Sequence, residues 1–119
     1  MTAEDRRQAY LAGQRAETVA ALWLRLKGFR ILCRRYKCPV GEIDLVARRG
    51  ALLLFVEVKA RKTETEARHA ITPHQRRRIE RAAMHFLKTY PEGQRMIQRF
   101  DAILVVPRKL PIHICDAWR

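Results

Sequence analysis

Three acidic residues and one lysine interrupt a largely aliphatic stretch of the chain, residues 40–62. They are Glu42, Asp44, Glu57 and Lys59. Hydrolysis of a phosphodiester uses such groups, because carboxylates hold a divalent metal that polarises the phosphate and generates hydroxide near neutral pH. A lysine beside them can stabilise the charge that develops on phosphorus. The simpler alternative is a strand with one face in water, on which these charges form salt bridges.

The ligands that these residues offer suit a hard divalent cation. Magnesium prefers oxygen ligands, usually one or two carboxylates together with water and substrate phosphate. We expect Asp44 and Glu57 to supply the carboxylates and the main-chain carbonyl of Val58 to be a third ligand. Glu42 is a candidate for a further ligand, or for an acid just behind the ligands. Lys59 would orient the attacking water or stabilise charge, and the expected cofactor is Mg²⁺ or Mn²⁺.

The alternation of side chains along two predicted strands places these charges on one face. If Arg49 and Gly50 form a two-residue loop, Asp44 lies opposite Phe55 and Glu42 lies opposite Glu57. The other face then carries only apolar side chains: Ile43, Leu45, Ala47, Leu52, Leu54, Val56 and Val58. A shift of one residue would move charges into the core, so the pattern disfavours it. Like charges on opposite strands repel, and we therefore expect a cation beside them.

The elements that must position this hairpin can be predicted along the whole chain. A long helix is expected from about residue 3 to 27, with Gly28 as its C-terminal cap. Strands are expected at residues 29–36, in GEIDLVA and LLLFVEVKA, in RFDAILVVP, and at a sheet edge in PIHICDAW. A second helix is expected from Thr72, the N-cap, to about Thr89. The order α-β-β-β-α-β-β predicts an α/β or α+β fold, with a mixed sheet of about five strands flanked by helices.

The composition is that of one globular domain, which we expect to span residues 1–119. Lys and Arg total 25 against 12 acidic residues, a formal net charge of +13. Such an excess predicts a nucleic-acid partner through phosphate contacts. The alternatives are a basic surface that only keeps the protein soluble, or an anionic lipid or an acidic protein as the partner. The chain has no apolar run of about 18 residues and no apolar signal segment, so we expect a cytoplasmic protein without a membrane partner. Its three cysteines form no C-x-x-C pair, which favours reduced thiols over a zinc site.

Basic residues cluster near the predicted site. Candidate nucleic-acid contacts are Arg61, Lys62, Gln75, Arg76, Arg77, Arg78 and Arg81. Gln75 either reaches the site or closes a capping box with Thr72 at the start of its helix. A helix N-terminus also binds phosphate, so both roles are compatible.

The charged residues resemble the PD-(D/E)xK motif of restriction-endonuclease-like enzymes and archaeal Holliday junction resolvases. Asp44 matches the acid of the motif, although Ile43 precedes it where the motif has proline, and Glu57-Val58-Lys59 matches E-x-K. The resemblance implies a restriction-endonuclease-like fold and a metal-dependent endodeoxyribonuclease. In resolvases an N-terminal helix adds a glutamate, and Glu17 in GQRAE resembles it. This implies that Glu17 assists catalysis, through a water-mediated metal contact or by positioning water.

The chain is also similar to the bacterial YraN family of endonuclease-like proteins over nearly all of residues 10–116. GEIDLVA, FVEVKAR, ITPHQRRRI and RFDAILV occur in the expected order. Arg35 stands where the family commonly has asparagine, and Gln75 where lysine is frequent. The loop after Lys59 lacks a glycine that relatives often have. The resemblance implies action on branched or junction DNA in repair or recombination, and resolvases imply a homodimer.

Two other functions fit the same residues. The chain could be a basic nucleic-acid-binding module with a weak or inactive nuclease site, or an adaptor that binds RNA or an acidic protein. Binding that hardly changes with metal would indicate the first. Outside the motif, Asp101 is expected to be a structural acid paired with an arginine, and the four histidines suggest no shared metal site.

Overall fold

Two helices pack on opposite faces of a five-stranded mixed sheet in the computed structural model, which describes residues 2–118. In chain order the elements are α1 (Ala3–Leu26), β1 (Arg30–Cys38), β2 (Gly41–Arg49), β3 (Leu52–Ala60), α2 (Glu64–His69), α3 (Pro73–Thr89), a 3-10 helix (Pro91–Arg95), β4 (Ile97–Val105) and β5 (Ile112–Ile114). The strands are hydrogen-bonded in sequence order, with β3 and β4 parallel and the other neighbours antiparallel. The predicted fold class and the main order of elements are confirmed.

Helix α2 and the 3-10 helix were not predicted. Six residues are too few to show a helical period, and Ala67 is the buried residue of α2. Its start is nevertheless encoded, since the side chain of Thr63 accepts a hydrogen bond from the N–H of Glu66 at 3.1 Å. The predicted cap of α3 is present, with Thr72 as N-cap and Pro73 as the first helical residue.

Helix α1 ends where Gly28 was predicted to end it. Gly28 has a φ of +89°, which an L side chain adopts only at a cost. Its N–H donates to the carbonyl of Arg25 at 3.0 Å, and the N–H of Phe29 donates to the carbonyl of Leu24 at 2.9 Å. This pair of bonds is the Schellman arrangement, and buried Phe29 and Leu24 belong to one core cluster. The chain therefore turns directly from α1 into β1.

Both faces of the hairpin formed by β2 and β3 are covered. On one face α1 packs against Leu45, Ala47, Leu54, Val56 and Val58. On the other face α3 packs against Ile43, Val46, Leu53 and Phe55. Asp44 and Glu57 therefore do not lie on an open, solvated face of the sheet, whereas Glu42, at the start of β2, is exposed.

The predicted register of the hairpin is wrong by two residues, although its face assignment is largely right. Arg49 pairs with Leu52 and Leu45 pairs with Val56, so the loop is Gly50-Ala51. Gly50 has a φ of +60°, as the first central residue of a type II′ turn requires. A register shift of two residues leaves each side chain on the same face of the sheet, because side chains alternate with a period of two. The placement of Ile43 with Leu45 is wrong, because the alternation of β2 is interrupted between them and Ile43 packs against the α3 side.

Gly41 allows α3 to approach the start of β2 very closely. A Cβ atom at this position would lie 2.2 Å from the carbonyl oxygen of Arg78. The backbone of α3 therefore touches β2 at Gly41, and this contact brings the first turns of α3 beside the hairpin. Gly41 belongs to the GEIDL segment, so one short motif supplies both an acid and the space for its neighbouring helix.

The remaining predictions concern the sheet edge, the thiols and the membrane. The edge strand β5 follows Pro111, as predicted, but has only three residues. Cys33, Cys38 and Cys115 are free thiols. Within residues 2–118, the helices are too short or too polar to cross a bilayer.

Candidate metal and phosphate site

An acidic cavity of about 370 Å³ opens at the end of the β2–β3 hairpin away from its turn. The middle of α1 and the first turns of α3 form its walls. Small residues of α1 keep it open, namely Ala9, Ala12, Gly13 and Ala16. Its polar lining residues are Glu17, Glu42, Asp44, Glu57, Lys59, Arg61, Gln75 and Arg78. The structure thus brings together the five charged residues predicted for catalysis or metal binding.

Asp44 is held by the neighbouring strand. Its Oδ2 atom accepts a hydrogen bond of 2.8 Å from the main-chain N–H of Val58. The regular β2–β3 pairing ends just before this point, with Leu45 opposite Val56. The carboxylate therefore takes the place of a main-chain acceptor. Val58 lines the cavity, and its main-chain carbonyl stays a predicted metal ligand.

Glu57 is the acid of the cavity whose pKa departs most from its ordinary value. Its side chain is 11% exposed, and its Oε1 atom lies 3.6 Å from Nζ of Lys59. Burial, and after it the hydrogen bond to Asp44 and the charge of Asp44, raise the pKa of Glu57, whereas Lys59 lowers it, and the net result is a pKa of about 9. Glu57 therefore keeps its proton at neutral pH unless another cation approaches.

Lys59 lies between Glu57 and the start of α3. With its amide oxygen toward Lys59, Gln75 accepts a hydrogen bond from Nζ at 3.2 Å, and its nitrogen donates to the carbonyl of Ala70 at 2.8 Å. With the amide reversed, the oxygen accepts the N–H of Thr72 at 3.4 Å and closes the capping box. The first orientation makes two good bonds and the second makes one long bond, so we assign the first. Gln75 then fixes Lys59 in the cavity.

Glu17 reaches the cavity from α1 but already has a cationic partner. Nε of Arg35 donates to Oε1 of Glu17 at 2.7 Å. The Arg35 guanidinium also lies 5.2 Å from the ring centre of Tyr10 and donates to its hydroxyl at 3.4 Å. Glu42 lines the cavity from the exposed start of β2, and its direct role stays a prediction.

The predicted nucleic-acid contacts divide into two groups. Arg61, Gln75 and Arg78 line the acidic cavity. Lys62 lies beyond it, in an adjoining groove of about 650 Å³ that shares Arg61 with the cavity.

The other arginines of α3 do not line the cavity. Arg77 and Arg81 are exposed outside it. Arg76 packs over the ring of Trp118, with its guanidinium carbon 5.9 Å from the ring centre. The predicted contacts Gln75–Arg78 occupy four consecutive helical positions, and these cannot all face one site because each residue turns the helix by about 100°.

Sequence reasoning missed Tyr10 and the role of Arg35. Tyr10 precedes Glu17 by seven residues, which is two helical turns, so both lie on one face of α1. That spacing could have placed Tyr10 beside the site. Arg35 attracted notice only as a departure from the YraN pattern, and its pairing with Glu17 has no signal in the sequence.

A second polar cluster surrounds Asp101, which is fully buried in β4. Arg99 donates to both of its oxygens at 2.8 and 2.9 Å, as expected for an acid paired with an arginine. His113 lies 2.7 Å away, and the N–H of Asp116 donates at 2.9 Å. Burial would raise the pKa of Asp101, but these hydrogen bonds outweigh it and lower the pKa to about 2.

Cys115 joins this cluster, which the sequence did not predict. Ligand atoms of Asp101, His113 and Cys115 all lie within 4.8 Å of one another. Both oxygens of Asp101 already accept hydrogen bonds from the Arg99 guanidinium. The network therefore balances the charge of Asp101 with groups of the protein.

The family model and the curated relatives that match this chain carry the same family description. The uncharacterised protein family UPF0102 matches residues 16–105. A UPF0102 protein of Parvibaculum lavamentivorans is 56% identical over 111 residues, which cover 93% of this chain and 84% of the relative. One of Paramagnetospirillum magneticum is 53% identical over 120 residues, covering 94% and 93%. One of Rhodopseudomonas palustris is 47% identical over 116 residues, covering 98% and 89%.

These matches span the site as well as the fold. The matched residues 16–105 include Glu17, the acids of the hairpin, Lys59 and the start of α3. The chain therefore belongs to the uncharacterised protein family UPF0102, the family of the YraN proteins.

Proposed function

We propose that this protein is a metal-dependent endonuclease that hydrolyses phosphodiester bonds in DNA. The observation that carries the proposal is the convergence of Glu17, Asp44, Glu57 and Lys59 in one cavity. They come from three separate segments of the chain. A cavity of this kind, with carboxylates and one partly buried lysine, has the groups that phosphodiester hydrolysis requires.

The carboxylates fit a divalent cation. Burial and the neighbouring Asp44 keep a proton on Glu57 at neutral pH. A cation between them would let both acids ionise, and both would then offer the oxygen ligands that magnesium or manganese prefers. Asp44 and Glu57 would hold the ion, with the Val58 carbonyl as a third oxygen. When bound, such an ion polarises the phosphate and lowers the pKa of water.

The protein groups around the ion would bind and orient the substrate. Lys59, held by Gln75 and Glu57, presents its ammonium group to the phosphate and stabilises the charge that develops there. Arg78 and Arg61 line the same cavity and can bind neighbouring phosphates. The net charge of +13 supports binding of a polyanion. A DNA backbone matches this arrangement of one acidic centre within a basic surface.

The experiment is a cleavage assay on labelled single-stranded, duplex, flap and four-way-junction DNA, with Mg²⁺ or Mn²⁺ or with EDTA. Wild type is compared with Asp44→Asn and Lys59→Met. A matched control is Glu92→Gln, which removes an acid paired with Arg48 near the hairpin turn. We expect metal-dependent cutting by wild type and Glu92→Gln, and a rate lower by roughly 10²–10³-fold in Lys59→Met. The Asp44→Asn variant should not cut.

Two results would contradict the proposal. Cutting that persists equally in both site variants would indicate a contaminating nuclease. Absence of cutting by the wild type on every substrate with either metal would remove the nuclease and leave a binding module. The pairing of Glu17 with Arg35 favours that second candidate, because a neutralised acid attracts a metal less strongly. DNA binding that is unchanged by metal would support it.

A further inference from the structure

Arg35 has a backbone conformation that arginine rarely adopts. It lies within β1 with a φ of +55°, in the left-handed region that favours glycine and asparagine. Its neighbours Arg34 and Tyr36 pair regularly with Leu45 and Ile43 of β2. The break at this point therefore involves only Arg35 and Asp44, the residue between those partners, and it is separate from the register shift between Ile31 and Cys33. Strain of this kind persists where the surrounding structure holds the residue in place.

Contacts with α1 hold the side chain of Arg35. The Nε–H bond to Glu17 and the longer bond to the Tyr10 hydroxyl fix the guanidinium against the helix. Among the residues that the structure describes, these bonds use two of the five N–H groups of the arginine. The side chain remains 31% exposed. An arginine held by one edge presents its other edge to a ligand.

Arg35 lines a second cavity, of about 210 Å³, which is smaller than the acidic cavity. This cavity shares Glu17, Glu42 and Asp44 with the acidic cavity, so the acids form a wall between the two. Its remaining polar lining residues are Tyr10, Arg35 and Lys37. Two cations therefore lie on one side of the acids, and Lys59 lies on the other side.

We propose that Glu17 acts on Arg35 and not on the metal: it holds the Arg35 guanidinium where it binds a backbone phosphate next to the one that is cut. Glu17 is then a positioning residue, and the Arg35–Lys37 cavity is a subsite for the adjacent nucleotide. The guanidinium matches phosphate geometry better than an ammonium does. This inference rests on the proposed function and adds a second point of contact with the substrate.

The first part of the experiment measures metal binding without nucleic acid. Mn²⁺ is titrated calorimetrically into wild type, Glu17→Gln and Asp44→Asn. Glu17→Gln should keep the Mn²⁺ affinity within less than tenfold of wild type, because Glu17 is not a ligand. Asp44→Asn should lose tenfold or more. A loss of tenfold or more in Glu17→Gln would overturn the inference while the proposed metal site stands.

The second part measures how DNA affinity depends on salt, in EDTA so that the DNA is not cut. Arg35→Asn is chosen because asparagine tolerates a left-handed backbone, so the variant should fold. Its plot of log affinity against log salt concentration should be shallower by about 0.9 on duplex DNA, the effect of one lost phosphate contact. Arg30→Asn is the matched control, since Arg30 lies at the other end of β1 and is exposed. Its slope should equal that of wild type.

The outcomes separate this inference from the proposed function. An Arg35→Asn slope equal to that of wild type would overturn the subsite, while wild-type binding and cutting would keep the nuclease. Wild type that binds neither Mn²⁺ nor DNA would overturn both. The salt slope distinguishes a phosphate contact from a structural role, because loss of packing alone does not change the number of counterions released.

Discussion

The main-chain N–H of Val58 donates a hydrogen bond of 2.8 Å to the carboxylate of Asp44, across the hairpin of β2 and β3. This bond closes the hairpin at the end where its regular pairing has stopped. Asp44 therefore offers two properties, a hydrogen-bond acceptor and a negative charge, which different substitutions can remove separately. Its oxygen is an acceptor that supports the fold, and its charge is what a metal ion would use.

Two substitutions of Asp44 should differ in stability but agree in activity. Asp44→Asn keeps an oxygen acceptor for the Val58 N–H, whereas Asp44→Ala leaves that N–H without this partner. We expect Asp44→Ala to lower the free energy of unfolding by about 1–2 kcal/mol, and Asp44→Asn to stay near the wild type. Neither variant should cut DNA. Urea unfolding checks the stability, and equal destabilisation by both substitutions would contradict a role for the bond.

Glu57 should make the metal-free protein less stable as the pH rises. Its pKa is about 9 in the folded protein against an ordinary value of 4.5, so it keeps a proton on folding that the unfolded chain releases above pH 4.5. Unfolded chains then bind fewer protons, and stability falls from about pH 4.5 toward pH 9. Glu57→Gln removes this effect and should be more stable than wild type at pH 7, by on the order of 1–3 kcal/mol.

The measurement is urea unfolding of wild type and Glu57→Gln at pH 5, 7 and 8.5 in EDTA. Subtracting one protein from the other cancels the titration of shared groups. The stability difference should grow in favour of the variant as the pH rises. A difference that is constant with pH, or that shrinks, would show that Glu57 is not protonated in the folded state.

The predictable part of this fold follows from side-chain periodicity. Alternation placed most residues of the hairpin on the correct face, because a face assignment survives any even error in register. The register itself depended on the turn, and both Arg49-Gly50 and Gly50-Ala51 are two-residue loops with glycine. The two loops differ in whether Gly50 is the first or the second residue of the turn. Alternation of side chains does not decide between these positions.

The unpredictable part lies where the regular pattern breaks. Arg35 and Asp44 face one another across an irregular point in the β1–β2 pairing, which reverses the side of Ile43. Such a break depends on tertiary contacts, here the hydrogen bond between Arg35 and Glu17 of α1. The residues of the candidate cavity could be selected from their chemistry, but the partner that each one has in space could not.

Gly41 should not tolerate a methyl group. A Cβ atom there would lie 2.2 Å from the carbonyl oxygen of Arg78, and backbone cannot rotate away as a side chain can. Gly41→Ala must therefore push α3 from β2, moving Gln75 and Arg78 relative to the acids. We expect a loss of about 1–3 kcal/mol in stability, and weaker DNA cutting by the molecules that remain folded.

Gly13→Ala is the matched control for that substitution. Gly13 lies inside α1, and a Cβ atom there would have no neighbour within 4 Å beyond the adjacent backbone of its own helix. Alanine favours a helix interior over glycine, so this variant should gain about 0.5–1 kcal/mol. Thermal unfolding of both variants tests the contrast. If Gly41→Ala were as stable as wild type, α3 would not contact β2 as closely as described.

Asp101 should support the fold without taking part in the chemistry. Its pKa is about 2 in the folded protein against an ordinary value of 3.8, so its contribution is present above pH 3.8 and is lost as the pH falls toward 2. Asp101→Asn leaves Arg99 without its carboxylate in a partly buried position. We expect a loss of roughly 2–5 kcal/mol at neutral pH and unchanged cutting per folded molecule.

Cys115→Ser distinguishes this charge network from a metal site. Cys115 is exposed, and if the hydrogen bonds to Asp101 suffice, the substitution should change stability by less than about 0.5 kcal/mol. Added Zn²⁺ should then leave the melting temperature of both proteins unchanged. A rise in the melting temperature of wild type with Zn²⁺ that Cys115→Ser abolishes would show instead that Asp101, His113 and Cys115 bind a cation. Arg99 would then have to leave the carboxylate, because its guanidinium covers the oxygens that the metal needs.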